Sequence, residues 1–156
     1  MSDRRAPLKI LISHVADDDG LARRAAAALK RAGHEVWTGE EIVPGDNWAA
    51  AYADALDRSE AIVPLLSPAG LASDRVQADL SFAMSHKRFR DRLIPVFLGG
   101  ADPHAAQFPW VLRRFPLVRM NGDAEEAFRA VAAALDVAAD EPAPAVPLGD
   151  GRGAAG

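Results

Sequence analysis

No cysteine occurs among the 156 residues, which removes disulfides, thiolate metal sites and cysteine nucleophiles together. No apolar run approaches the roughly 20 residues a membrane-spanning helix needs. Residues 1–9 carry Arg4 and Arg5 but no apolar stretch of the kind a signal peptide requires. The expectation is a cytoplasmic chain without a membrane partner. Basic charge is not in excess: 18 basic and 22 acidic residues give a net charge of −4, which leaves no electrostatic footprint for direct nucleic-acid binding. Neither G-x-x-x-x-G-K-[ST] nor G-x-G-x-x-G follows the first apolar run, so the phosphate-loop and dinucleotide fingerprints are missing. His14, His34, His86 and His104 lack metal-ligand spacing, and no metal is expected.

What is present is an alternation of short apolar runs with helical patterns. Leu8–Ile12, Glu35–Trp37, Ala61–Leu66, Leu93–Leu98 and Leu117–Met120 have strand length. Between the first two, Leu21, Ala25, Ala28 and Leu29 recur at helical spacing, and Gly33 stands where a helix ends in a left-handed residue. A second helix is expected from about Asp46 to Arg58, with Trp48, Ala51, Tyr52, Ala55 and Leu56 on one face. A third is expected over 74–89, with Val76, Leu80, Ala83 and Met84 inward, a weaker one over 105–113, and a last one carrying Phe128, Val131 and Leu135. Asp17-Asp18-Asp19 reads as helix capping and dipole complementarity, and Lys87–Arg92 as the basic, solvated end of a helix. Five strands alternating with helices predict a flavodoxin-like α/β domain, a five-stranded parallel sheet covered on both faces. Pro64 and Pro95 fall inside strands, where proline removes a ladder donor, and predict a bulge or an amide position that needs no partner. The domain is expected to span residues 7–137, followed by an Ala/Pro/Gly-rich, disordered tail or linker over 138–156.

In an open parallel sheet, ligands bind outside the carboxyl ends of the strands where strand order reverses, here between the first and third strands. The residues leaving those strands are Ser13-His14 and Ser67-Pro68. Their hydroxyls and imidazole suit a sugar or phosphate, although a serine after a strand more often caps the next turn. A phosphoacceptor receiver site needs an aspartate ending the third strand and a lysine ending the fifth, and Ser67 and Asn121 stand there instead.

The ordered segments Leu11-Ile12-Ser13-His14, Gly33–Trp37, Ile42–Trp48, Ile62–Pro68, Ser73 with Val76–Leu80, and Leu93–Val96 resemble the signature boxes of Toll/interleukin-1 receptor (TIR) domains of bacterial type. The resemblance covers about residues 8–137. It implies a self-assembling domain that cleaves NAD+ at the nicotinamide–ribose bond, by hydrolysis or cyclisation, in a bacterial immune or toxin-like effector. NAD+ is then a substrate and no cofactor is needed; the partners are NAD+ and other TIR domains. The family's catalytic glutamate falls at Asp79, one methylene shorter, which sets its oxygens back by about 1 Å, a displacement that can cost on the order of 100-fold in rate. The resemblance places Ser13, His14 and Ser67 at the pocket rim and Trp48 as a lid, with Phe82 lining the pocket. Ile42, Pro44 and Gly45 belong to an assembly loop. The substitution of aspartate for glutamate also suits an alternative, a non-catalytic TIR–TIR interaction module. A third reading is another N-glycosyl enzyme of this fold class.

Overall fold

The computed structural model describes residues 7–42, 45, 47–106, 108–114 and 116–140. Five strands, β1 (Lys9–Ser13), β2 (Glu35–Trp37), β3 (Ala61–Leu66), β4 (Val96–Phe97) and β5 (Val118–Arg119), form one sheet in the order β2-β1-β3-β4-β5. Every pairing is parallel. This is the expected flavodoxin-like order, with its reversal between β1 and β3. The helices are α1 (Asp19–Arg31), α2 (Trp48–Arg58), α3 (Pro68–Leu71), α4 (Asp74–Met84) and α5 (Ala124–Asp140).

Strand alternation assigns the two faces. Ile10, Ile12, Val63 and Leu65 pack with Ala25 and Leu29 of α1 and Phe128 and Val131 of α5. Leu11, Ile62, Leu66 and Phe97 pack with Tyr52 of α2 and Val76 and Leu80 of α4. Because side chains alternate along a strand, Ser13 follows Leu11 onto the α2/α4 face. One polar side chain is thereby delivered under two helices at the carboxyl end of β1.

Gly33 has φ +102 and ends α1 as the sequence predicts, with the following His34 amide donating to Leu29 O at 3.1 Å. At Gly70 the constraint is space: a Cβ there would lie 2.8 Å from Leu65 O, so only glycine lets α3 sit against the exit of β3.

The prolines make no bulge. Leu93 bridges Ile62, and three residues on in both strands Leu65 pairs with Val96, so the register is unbroken. Ile62 turns its amide to β4, donating to Arg92 O, and by alternation Pro64 occupies the next such place without a donor. The ladder is therefore interrupted, and β4 shrinks from the predicted 93–98 to Val96–Phe97.

Other boundaries also differ. α4 stops at Met84, leaving that side chain 40% exposed rather than inward, and Lys87–Phe89 is a separate 3-10 turn. Over 105–113 there is a 3-10 turn at Trp110–Arg114 instead of an α-helix. α3 was not foreseen, since four residues are too short to show a period. α2 begins at Trp48 with Asn47 as its cap, and Asp46 lies outside the described residues. α5 continues to Asp140, past the expected end at 137, while residues 141–156 of the expected tail lie outside the described residues. Among the described residues, no helix is long and apolar enough to cross a membrane.

Candidate functional site

On α4 the buried residues are Val76, Asp79, Leu80 and Ala83. That is the spacing of a core stripe, and Asp79 is a carboxylate standing within it, only 3% exposed. As a surface partner of the helix dipole it would face water; it faces the sheet instead. Buried charge needs hydrogen bonds, and two converge on it. Ser13 Oγ donates to Asp79 Oδ2 at 2.6 Å, and Tyr52 OH donates to the same oxygen at 2.6 Å. Among the described residues no donor reaches Oδ1. The carboxylate is thus fixed through one oxygen at the carboxyl end of β1, beside the point where strand order reverses.

Tyr52 lies one turn after Trp48 on α2, and the two rings stack with centroids 4.9 Å apart and planes 15° apart. Asn47 fixes the start of that helix by accepting from Ala50 N at 3.1 Å. Trp48 is 40% exposed and is not core. Arg75, one turn before Asp79 and exposed, places its guanidinium carbon 5.1 Å from the Trp48 ring centroid and 5.3 Å from that of Tyr52. It also donates from Nη2 to the His14 carbonyl.

The electrostatics oppose one another. Burial pushes the Asp79 carboxyl above its ordinary range, while the hydrogen bonds from Ser13 and Tyr52 and the charge of Arg75 pull it down without reversing the shift. Burial, and then the neighbouring carboxylate, pushes the Tyr52 phenol up, so it remains a donor. The cluster can hold a fixed negative charge next to an aromatic surface that already carries a cation.

The remaining expected residues are dispersed around this centre. His14 is buried, and its Nε2 is 2.7 Å from Asp19 Oδ1. Ser67 caps α3 by accepting from Gly70 N at 3.0 Å and donates to Asp18 Oδ2 at 2.6 Å. Asp18 therefore ties the loops after β1 and β3 together, while Asp19 holds His14 within the first of them; no side chain caps the start of α1, which corrects the capping reading of the acidic run. Phe82 does not join Asp79. It stacks on His86 at 4.1 Å and tilts against Phe89 at 5.9 Å, at the far end of α4. Arg88 of the basic cluster is not merely solvated, since it donates to the carbonyls of Ser59 and Asp57 at the end of α2. Ile42 packs on the α2/α4 core, Gly45 has φ +100, and Pro44 lies outside the described residues. Tyr52 and Arg75 were missed as site residues. The signal for Tyr52 was a phenol on an apolar helix face, which needs a partner, opposite a carboxylate in another apolar stripe, which needs a donor.

Two cavities open elsewhere. One of about 410 Å³ runs between β2 and α2, lined by Lys9, Glu35, Trp37, Ile42 and Arg58 among others. Another of about 460 Å³ lies at the ends of β4 and β5, by Gly99, Asp102, Arg119 and Asn121. Neither is lined by Asp79.

A family model described as TIR domain matches residues 10–132. Among solved structures, the chain is similar to the TIR domain of the Toll-related receptor TRR-2 from Hydra magnipapillata, at 16% identity and TM-score 0.64, covering 85% of this chain and 98% of that one. It is similar to the TIR domains of the activated Roq1 resistosome at 16% identity and TM-score 0.66, covering 82% and 99%. A TIR-STING receptor from C. gigas, in complex with 2',3'-cGAMP, aligns at 24% identity and TM-score 0.64, covering 85% of this chain but 41% of the receptor. Comparison with curated protein sequences gave no match.

Proposed function

Since the chain belongs to the TIR domain family, we propose that it cleaves NAD+ at the nicotinamide–ribose bond, with Asp79 as the catalytic carboxylate. The observation that carries this reading is Asp79 itself: a buried anion, oriented through Oδ2 by Ser13 and Tyr52, at the switch point of the sheet and beside exposed aromatic and cationic groups. In the reaction, the electron pair of the C–N bond returns to the ring nitrogen and nicotinamide leaves neutral. Positive charge builds on the ribose, where a fixed anion lowers the barrier. Oxygen from water then bonds the ribose carbon and a proton is released; an adenine nitrogen in its place gives the cyclic product. Asp79 is 3% exposed, so access to it requires neighbouring side chains to give way. Self-assembly of copies through the loop of Ile42, Pro44 and Gly45 is the proposed means, and the TIR domains of the activated Roq1 resistosome offer a parallel. The biological setting consistent with this is an immune or toxin-like effector.

A second reading, a TIR–TIR interaction module with little catalysis, is favoured by the 3% exposure of Asp79 and by cavities that open elsewhere. Nicotinamide release from NAD+, followed at low and high protein concentration, separates the two. The proposal expects turnover that rises with assembly, is abolished in Asp79→Ala, is nearly lost in Asp79→Asn, and increases in Asp79→Glu. Silence of both the parent chain and Asp79→Glu under assembling conditions selects the interaction module. Undiminished turnover in Asp79→Ala moves the carboxylate elsewhere, with Glu40 and Glu41 next to test.

A further inference from the structure

At the edge of the sheet, α2 meets β2 through small side chains. Ala51 and Ala55, one turn apart on α2, do not reach far enough to close the space against Ile10, Trp37 and Ile42, which leaves the cavity of about 410 Å³. Its rim is charged, but those charges are already answered within the chain. Arg58 donates from Nε to Asp54 Oδ2 at 3.0 Å, and Glu41 Oε1 accepts from the amides of Thr38 and Gly39 at 3.1 and 3.0 Å. Lys9 stands opposite Glu35 in the parallel register, and Ser59 Oγ donates to Ala55 O at 2.7 Å. What remains for an occupant is apolar surface and the half-buried Trp37 ring. A charged group entering there meets only engaged partners, and burying an unpaired charge is costly. The lining therefore selects a neutral, planar, largely apolar molecule, in a volume typical of small-molecule sites.

We propose that the cavity between β2 and α2 is a regulatory site for a neutral planar aromatic molecule, and that its occupancy reaches Asp79 through Trp37 and Tyr52. The Trp37 ring lies 5.4 Å from the Tyr52 ring, with the planes 54° apart, and Tyr52 OH donates to Asp79 Oδ2 at 2.6 Å. Among the described residues of α2, only Tyr52 is buried, so the helix that walls the cavity is anchored by the side chain that orients the carboxylate. An occupant lying against Trp37 adds apolar contacts to a helix held by one such anchor. It fixes the Trp37–Tyr52 contact and so bears on the hydroxyl at Asp79. The consequence for NAD+ cleavage rests on the reading above; the binding and the relay do not.

The test needs no catalysis. Indole is the probe, and indole-3-carboxylate and tryptamine present the same ring with a negative or a positive charge. In an NMR titration, bound indole should show intermolecular contacts to the methyl groups of Ala51 and Ala55, and it should raise the melting temperature. Both charged analogues should bind more weakly, by about tenfold or more. Ala55→Leu carries a larger side chain into the cavity and should lose indole without losing the fold. Indole should shift the Asp79 carboxyl resonance in the parent chain and leave it in place in Tyr52→Phe, where the relay is cut but the cavity lining is intact. Absence of binding up to the solubility of indole overturns the site, as do contacts at other residues, equal binding of the charged analogues, or undiminished binding by folded Ala55→Leu. Should Ala55→Leu fail to fold, the contacts to Ala51 and Ala55 in the parent chain decide alone. Bound indole that leaves Asp79 unmoved, or moves it equally in Tyr52→Phe, overturns the relay. A chain that binds indole and shifts Asp79 but never releases nicotinamide retains this inference and loses only the catalytic reading.

Discussion

A carboxylate in the core stripe of a helix is costly, and two hydroxyls on one of its oxygens do not fully offset its burial, because the carboxyl is still displaced upward. A raised carboxyl pKa means the folded state holds the proton more tightly than the unfolded one. The associated stability is therefore present below the ordinary aspartate value of 3.8 and is lost as pH rises through the higher folded value. Above the folded value the ionised group is a net liability. Asp79→Asn keeps an acceptor for Ser13 and Tyr52 and removes the charge, so it is expected to leave the melting temperature unchanged or raise it at pH 7 while nearly abolishing NAD+ cleavage. A drop in melting temperature would instead show that the anion holds the fold together. Tyr52→Phe should act in the opposite sense on stability. It deletes one of the donors to a buried charge, at about 1.5–3 kcal/mol, and should raise the Asp79 pKa further, shown by a carboxyl NMR titration and by the acid limb of any pH–rate profile moving upward. An unmoved titration would mean that Ser13 alone orients the carboxylate.

At the scale of elements, close approach of backbone to backbone decides where α3 sits. Gly70→Ala puts a methyl carbon 2.8 Å from Leu65 O, a backbone atom that cannot swing away, and overpacking of this kind costs about 1–3 kcal/mol. Urea titration should show that loss; an unchanged midpoint would mean α3 moves freely off β3. The sequence could not reveal this constraint, because α3 is a single turn, although Ser67 was legible as a serine that leaves a strand and caps the next turn. What could be read were the long regular pieces. Ala61–Leu66 matches its apolar run, and Gly33 ends α1 at the position its neighbours require. β4 was overextended because a run of apolar residues says nothing about which amides meet a partner, and Pro64 on the adjacent strand lacks the one needed. The site was half legible. Asp79 falls at the spacing of Val76 and Leu80, which marks a core position, but its partners on β1 and α2 come together only through strand parity and helix packing. Arg75 gave no signal, since a lone arginine on a helix is usually a solvated one.

Across the whole molecule, two faces of one sheet carry opposite electrostatic problems. The α2/α4 face buries Asp79. At the margin of the other face, where α1 meets β2, His34 is buried; its Nδ1 accepts from Leu8 N at 3.1 Å, and its Nε2 finds no partner among the described residues. Burial lowers the His34 pKa, against a smaller opposing pull from Asp136 on α5. The sign is fixed by which state takes the proton more readily. Below its ordinary value of 6.5 the unfolded chain protonates this imidazole while the folded chain resists, so the stability it contributes is present above 6.5 and is lost as pH falls through the depressed folded value. Protonation would also convert Nδ1 from acceptor to donor and break the bond to Leu8 at the start of β1. Acid should therefore weaken the α1/β2 margin while it relieves the buried charge at Asp79, so the two faces respond to falling pH in opposite senses. His34→Asn isolates the effect, because its side-chain oxygen can replace Nδ1 toward Leu8 while nothing titrates. At neutral pH the variant is expected to lose some stability from reduced packing. Between pH 6.5 and the folded His34 value its melting temperature should fall less steeply than that of the parent chain, the difference isolating His34 from His14, His86 and His104. Parallel curves over that range would mean that the acid response arises at another group.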